Sequence, residues 1–434
     1  MPKRGRWDSS SDEEDTGKQK ATTTKKKGQQ GNGSTTTSVP ATTTVAKKNK
    51  SSLQKQQQSQ KQPQPPGKNY KYHNPLLQGC RSVYDTYDKI SHISEGTYGI
   101  VWKAKDLATK EIVALKQIKF DIYDGAGEEG TASFQSEEMK LARATGFPVT
   151  ALREISVLLE LQHDCIVNVK EMVVGGSTNT LSGNQVFMVM EYMELDLQVA
   201  IQRFRQYPNL LRQSELKSIL QQILRGVAYM HTNWYLHRDL KSSNILVHRS
   251  GRVAICDLGL TRKYSEPQTY NLTQLVCTLW YRCPELLFGE CKYGPPVDNW
   301  SIGCIFGELL LEGTPILQGQ GELDQIDQIF TLCGMPTEES WPNFTNLPNS
   351  KIFRWNKPEK QTKAAKSKTL QARFQINTPI HVRQTFLDGN GYNLLSQLLT
   401  LNPATRITAQ DALNHPYFTQ GVTPILPNFF EDMT

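Results

Sequence analysis

The stretch His237-Arg238-Asp239-Leu240-Lys241-Ser242-Ser243-Asn244 constrains this chain more than any other. It sets a carboxylate, an ammonium and a side-chain amide close together on one short loop, so that Asp239 and Asn244 can reach one centre. A His-Arg-Asp tripeptide alone arises by chance. With Lys241 and Asn244 at fixed spacing behind it, the stretch demands matching parts elsewhere, in a matching order.

A chain of 434 residues has room for one large two-lobed domain and a tail, or for several small domains. Its hydrophobic fraction of 38% is low for a wholly globular chain and points to an unfolded part. The 49 basic residues against 42 acidic ones leave a net charge of +7. That is too mild to demand nucleic acid, and direct nucleic-acid binding is not expected. Eight scattered cysteines without a C-x-x-C pair fit a reducing compartment. No apolar run is long enough to span a bilayer and the polar start carries no signal peptide, so no membrane association is expected.

Residues 1–83 read as a basic, polar tail. Up to about residue 70 it holds Lys, Gln, Thr, Ser and Gly and almost no aliphatic residues. Such a segment cannot bury enough apolar surface to offset its ordering entropy, so disorder is expected. Ser9 to Asp15 resembles an acidic-directed phosphorylation site. Lys3-Arg4-Gly5-Arg6, Lys25-Lys26-Lys27 and Lys47-Lys48-Asn49-Lys50 read equally as nuclear-import elements or as solvated charge.

From Tyr87 the pattern turns to short alternating runs. Tyr87–Ile93 reads as a strand and Ile100–Ala104 as its hairpin partner. Between them lies Ser94-Glu95-Gly96-Thr97-Tyr98-Gly99. Glycine has no Cβ, so backbone N–H groups in such a turn can close over phosphates. Two glycines alone leave an ordinary hairpin turn open as well. The strand Glu111-Ile112-Val113-Ala114-Leu115-Lys116 follows and ends in a V-A-x-K pattern. Residues 121–147 read as an insertion. Pro148 suits a first helical turn, and Leu152, Ile155, Leu158 and Leu159 then form an apolar stripe at helical spacing. Val186–Met193 reads as a buried strand, and Ser214–His231 as an amphipathic helix with Leu216, Ile219, Leu220, Ile223, Leu224, Val227 and Met230 on one face. Val253–Cys256 is a short strand leading to Asp257-Leu258-Gly259.

In this order the parts resemble a eukaryotic Ser/Thr protein kinase, from roughly Tyr84 to Phe418. Cys283-Pro284-Glu285 stands for A-P-E, Asp298 to Gly303 for D-x-W-S-x-G, and Arg406 lies where kinases place the partner of Glu285. Glu95 to Gly99, Thr278-Leu279-Trp280-Tyr281-Arg282 and Trp300 to Cys304 resemble the cyclin-dependent kinases. Pro148 to Glu154, P-V-T-A-L-R-E, is similar to the P-I-T-S-L-R-E helix of one branch, as are Gly303 to Leu310 and Glu322 to Ile326.

The resemblance implies an α+β, two-lobed fold. A small antiparallel β-sheet lobe with one key helix, residues 84–193, would precede a larger helical lobe, 194–418. A basic insert spans 350–375 and an extension 419–434. ATP and Mg²⁺ are the implied cofactors. Asp239 would accept the proton of a substrate hydroxyl and Lys241 would sit beside the transferred phosphate. Lys116 would bind the α and β phosphates and pair with Glu154. Asn244 and Asp257 would hold the metal. Ile93, Ser94, Glu95, Gly96, Thr97, Tyr98, Gly99, Ile100, Val101, Ala114, Met190, Glu191, Met193, Asp196 and Leu246 would line the nucleotide site, with Met190 as gatekeeper and the backbone at Glu191 and Met193 on the adenine edge.

Regulation follows from the same resemblance. Arg153, Arg238 and Arg262 would converge, lacking a partner, on Thr273 and receive a phosphate placed there by an activating kinase. Thr97 and Tyr98 match inhibitory phosphorylation positions. A cyclin, of the L type by the branch, would dock on the Pro148–Glu154 helix. Protein substrates phosphorylated at Ser/Thr-Pro and a location in the nucleus, with the cytoplasm also open, complete the expectation. The departures are Ser94 for the first glycine, Leu258 for Phe, Cys283 for Ala and the two inserts. Thr273-Gln274-Leu275 is not the T-x-Y of mitogen-activated kinases, and Lys116, Asp239 and Asp257 are all retained, unlike in most pseudokinases.

Overall fold

The computed structural model describes residues 81–96, 99–118, 149–175, 185–206, 211–352, 369–374 and 387–428. These all belong to one compact unit, Tyr70–Thr434. Thr97, Tyr98, Pro148, the insertion 121–147, most of the basic insert and nearly all of the tail lie outside the described residues.

The first lobe is a six-stranded sheet. Its strands are β1 (Arg81–Ser82), β2 (Tyr87–Gly96), β3 (Gly99–Asp106), β4 (Ile112–Ile118), β5 (Val169–Gly175) and β6 (Gln185–Glu191). The spatial order is β1-β5-β6-β4-β3-β2, antiparallel except for the parallel β1–β5 pair. The expected tail therefore ends sooner than residue 83. Arg81 and Ser82 pair with Val173 and Val174, and Val83 is buried beside Tyr87, Leu115 and Phe187. One apolar side chain on the sheet is enough to draw this segment into the fold.

On β4 the period of two sorts the side chains. Val113 and Leu115 enter the sheet's own core, which places Ala114 and Lys116 on the opposite face. At the β2–β3 turn, Gly99 has φ +150°, and a Cβ there would sit 1.9 Å from the carbonyl oxygen of Gln117. Only glycine fits that position.

Helix α1 (Val83–Thr86) is a single turn, and α2 (Val149–Glu160) packs on the sheet through Leu152 and Ile155. The expected stripe needs one correction. Leu158 is buried, but Leu159 is 59% exposed, and Glu154 and Val157 take the inner face instead. Positions 154, 157, 158 and 161 are one helical face, and Leu159 lies a third of a turn away from Leu158.

The second lobe is built around two buried helices. After β7 (Leu195–Asp196) and α3 (Leu197–Gln206), helix α4 (Gln213–Thr232) buries every one of its seven predicted stripe residues. Farther along, α5 (Pro284–Leu287) precedes α6 (Pro296–Leu310), which is buried all round, as an apolar helix at the centre of a lobe must be. Between α4 and α5 run β8 (Tyr235–Leu236), β9 (Ile245–Val247), β10 (Val253–Ile255) and β11 (Arg262–Lys263). β9 and β10 form a hairpin that brings the segments of Asn244 and Cys256 side by side. No helix among the described residues is long and apolar enough to cross a membrane.

Candidate active site

Asp298, at the start of α6, fixes the loop that carries Asp239. Its two oxygens accept the backbone N–H groups of His237 and Arg238, each at 2.9 Å, and Oδ2 also meets His231 Nε2 at 2.9 Å. Burial works to raise this carboxyl, but His231 and the backbone N–H of Arg238 outweigh it and hold Asp298 below its ordinary value. His237 completes the support. Its Nδ1 accepts the N–H of Asp239 at 3.2 Å, which leaves Nε2–H to donate to Cys256 O at 3.0 Å.

Both oxygens of Asp239 are engaged. Oδ1 accepts the backbone N–H and the hydroxyl of Thr278, at 3.0 and 2.9 Å. Oδ2 accepts Lys241 Nζ at 2.8 Å and Asn244 Nδ2 at 3.1 Å. Lys241 also donates to Thr278 Oγ1 at 3.1 Å. Thr278 was visible in the sequence only as part of a family stretch, and no local signal gave its bond to Asp239.

Lys116 and Glu154 meet at 2.6 Å, in a place where both side chains are largely buried. Burial is the larger influence on each partner. It lifts the Glu154 carboxyl above its ordinary value. At Lys116 burial pulls downward, but the charges of Glu154 and Asp257 prevail, and the ammonium stays raised. The 2.6 Å contact sets the two groups against each other, and Asp257 is close enough to act on both.

Asp257 has φ +62°, an uncommon conformation for a residue with a Cβ, at the N-cap of a single 3-10 turn, Leu258–Leu260. Leu258 is fully buried, so it keeps the packing role expected of it. Cys256 N donates to Asn244 O at 3.0 Å, which sets Asp257 beside the Asn244 segment. Asn244 spends its Nδ2 on Asp239, both side chain and carbonyl, so Oδ1 is the acceptor it would offer a cation. Carboxylate and amide oxygens are hard donors that suit Mg²⁺, which takes few protein ligands and fills its shell with phosphate and water. The residues present fit that ion. Among the described residues no group of three His, Cys, Asp or Glu is arranged to hold a metal unaided. Burial pushes the Cys256 thiol well up, which agrees with a core residue rather than a reactive one.

The nucleotide-site residues split by surroundings. Met190, Leu246 and Cys256 pack against Met193 and Ala254, and Ala114 pairs with Met190 across β4–β6, giving apolar walls. Val101 pairs with Lys116. Ile93, Ser94 and Glu95 are exposed on the turn above, and Ile100 is half-buried. The side chain of Glu191 turns away to pair with Arg252 and to accept Asn168 N–H at 2.9 Å. Asp196 caps α3 by accepting Val199 N–H at 2.7 Å. A hollow of about 580 Å³ lined by Lys103, Glu191, Tyr192, Arg249 and Arg252 among others shares only Glu191 with the candidate site residues.

The three arginines do not wait without partners, as the sequence suggested. Arg238 donates from Nε to Leu260 O at 2.8 Å and from Nη1 to the Tyr293 hydroxyl at 2.9 Å. Arg153 Nη1 reaches Gly259 O at 3.5 Å. Arg262 sits on β11, opposite Leu236. Thr273 is exposed, and its backbone carbonyl is linked to Arg238 through the Tyr293 hydroxyl. Backbone carbonyls next to Asp257 thus receive the guanidinium groups of Arg153 and Arg238. Tyr293, Ser242 and Glu308 are site-supporting residues that the sequence did not reveal.

The family model described as "Protein kinase domain" matches residues 87–418. Serine/threonine-protein kinase ppk23 of Schizosaccharomyces pombe is 42% identical over 356 residues, which cover 82% of this chain and 78% of that protein. Cyclin-dependent kinase 11 of Dictyostelium discoideum is 41% identical over 80% of this chain and 83% of its own length. For Cyclin-dependent kinase G-1 of Oryza sativa subsp. indica the identity is 42%, but the match spans only 45% of that longer protein. The chain belongs to the protein kinase family, among the serine/threonine kinases similar to the cyclin-dependent kinases 11 and G.

Proposed function

We propose that this chain is the catalytic subunit of a cyclin-dependent serine/threonine kinase that transfers the γ-phosphate of ATP to Ser or Thr followed by Pro on nuclear proteins. The observation that carries this reading is the fixing of Asp239 from both sides, by Thr278 on Oδ1 and by Lys241 and Asn244 on Oδ2. A positioned carboxylate is what a hydroxyl nucleophile needs. Asp239 takes the proton of the attacking hydroxyl, and Lys241 steadies the phosphate in transfer. Lys116, kept charged by Glu154, holds the α and β phosphates. Backbone groups at Glu191 and Met193 take the adenine edge between Ala114, Val101, Met190 and Leu246. Mg²⁺ held by Asn244 and Asp257 supplies positive charge against the phosphates when bound.

The preference for Pro is supported by Cys277. Its φ is +63°, and its carbonyl, with that of Val276, is taken by Arg282 at 2.9–3.3 Å. A substrate residue docking here finds no carbonyl free for its own N–H, and proline has no N–H to leave unsatisfied. The cyclin, of the L type by resemblance, docks on α2 and reaches catalysis through Glu154. Nuclear work in transcription, splicing or division, activation by phosphorylation of Thr273, and inhibition at Thr97 and Tyr98 belong to the same reading. Gln274 after Thr273 makes the activating kinase one that is not proline-directed.

The test is Asp239→Asn in the complex purified with its partner subunit, assayed on Ser-Pro and Ser-Ala peptides. Turnover should fall on the order of 10²–10⁴. Unchanged turnover ends the kinase reading. Equal rates on the two peptides end the proline preference alone.

A further inference from the structure

Tyr293 lies in the loop between α5 and α6, only 4% exposed. Its hydroxyl donates to Thr273 O at 2.6 Å and accepts Arg238 Nη1 at 2.9 Å. Burial pushes this phenol up to about 12, against the pull of Arg238, so it remains a neutral donor at every working pH. Two further bonds come from the same loop. Leu272 N–H donates to Cys291 O at 2.8 Å, and Gln274 Nε2 donates to Gly289 O at 2.6 Å. The segment is therefore fastened on both sides of Thr273, by the Leu272 backbone before it and the Gln274 side chain after it, while the Thr273 side chain stays exposed. Arg238 continues the path to Leu260 O, just past Asp257-Leu258-Gly259, and its own N–H is on Asp298.

Resting on the kinase reading above, we propose that Tyr293 is a positioning residue that ties the backbone at Thr273 to Arg238 without any phosphate. The loop 289–293 then presets the activation segment, and a phosphate on Thr273 adds to an anchor already in place. A phosphate brings charge-assisted bonds, each roughly twice as strong as the neutral bond from Tyr293. With the phosphate present, the tyrosine bond becomes redundant. Without it, the segment depends on Tyr293.

Tyr293→Phe keeps the buried ring and removes only the hydroxyl. It is made in the otherwise unchanged chain, phosphorylated at Thr273 as verified by mass spectrometry, and in Thr273→Ala, both purified with the partner subunit. The expected loss of kcat is on the order of threefold to tenfold in Thr273→Ala, the scale of one net hydrogen bond, and less than about twofold with phosphate present. Hydrogen exchange gives a readout apart from activity: amides at Leu272–Gln274 should exchange faster in Tyr293→Phe, and those of α4 should not. An equal loss in both backgrounds makes Tyr293 a merely structural residue, and no loss in Thr273→Ala removes the tether. Should Tyr293→Phe not fold, Gln274→Ala removes the neighbouring bond at an exposed site. Faster exchange at Thr273 in that variant keeps the preset segment, and unchanged exchange overturns it. If Asp239→Asn proved fully active, the kinase reading would fail, and the exchange experiment would still decide the tether.

Discussion

Arg406 clamps Glu285 with two parallel bonds, Nη1 to Oε1 at 2.7 Å and Nη2 to Oε2 at 2.9 Å, and both residues are buried. Arg406 also donates to the carbonyls of Thr400, Leu401 and Pro296. The pair therefore joins the end of the activation segment to the last helices of the lobe and to the start of α6. Removing one partner leaves the other charge buried and unpaired. Arg406→Ala should cost about 3–5 kcal/mol of stability. Arg406→Lys should recover little, because an ammonium cannot make the two parallel bonds. Denaturant unfolding of the purified complex measures both, and a cost below about 1 kcal/mol for Arg406→Ala would contradict the role.

Glu308 is a second buried carboxyl, held by Ser242 Oγ at 2.9 Å and by the Tyr281 hydroxyl at 2.7 Å. Burial raises it above its ordinary value, and the two hydroxyl bonds only partly oppose this. The folded state thus keeps its proton to higher pH than the unfolded chain does. The stability tied to that proton is complete below the unfolded value near 4.5 and is lost as pH rises through the raised folded value. Glu308→Gln keeps a neutral group that can still bond both hydroxyls. The difference in unfolding free energy, variant minus parent, should grow as pH rises above about 4.5. A difference that is flat with pH would refute the buried-acid assignment.

The reach of the sequence can be judged residue by residue. Asp239, Lys241 and Asn244 share one loop, so their spacing gathered them, and Lys116 was marked by following Val113-Ala114 behind a Gly-rich turn. Asp239 with Thr278, Ser242 with Glu308 and Arg238 with Tyr293 are pairs far apart in the chain. Nothing local in the sequence records such a pairing. The same limit explains the arginines. Their charges are legible, but the carbonyls of Gly259 and Leu260 that receive Arg153 and Arg238 are backbone groups of any residue type. At α2 the apolar period was legible, while the side facing the sheet depends on the packing of Leu152 and Ile155.

Asn299 is one of the polar side chains that α6 buries, beside Asp298, Ser301 and Glu308. It is fully buried, and neither its amide nitrogen nor its amide oxygen has a hydrogen-bond partner among the described residues. A buried donor or acceptor left unmade costs roughly 1–3 kcal/mol. Asn299→Leu, of similar volume, should raise stability by about 1–2 kcal/mol and leave kinase activity unchanged. Differential scanning calorimetry of the pure complex reads this directly. A loss of stability would mean that the amide does have a partner in solution.

Leu159 is the large apolar side chain that α2 leaves exposed among the described residues. It is 59% exposed, on the helix whose buried face carries Glu154 to Lys116 at 2.6 Å. Next to it, Glu160 joins Tyr235 at 2.5 Å and Lys263 at 3.0 Å, so this end of the helix is moored to the second lobe. A subunit that covers Leu159 can therefore hold α2 against both lobes and keep the Lys116–Glu154 pair closed. Because Leu159 is exposed, Leu159→Glu should change the stability of the isolated chain by less than about 0.5 kcal/mol. It should nevertheless weaken association with the cyclin-type subunit at least tenfold and lower activity in step, with activity returning when that subunit is added in excess. Co-purification, titration calorimetry and peptide phosphorylation on the same preparations separate these outcomes. Full association with Leu159→Glu would remove this face from the interface, and lost activity without lost association would place the defect inside the site instead.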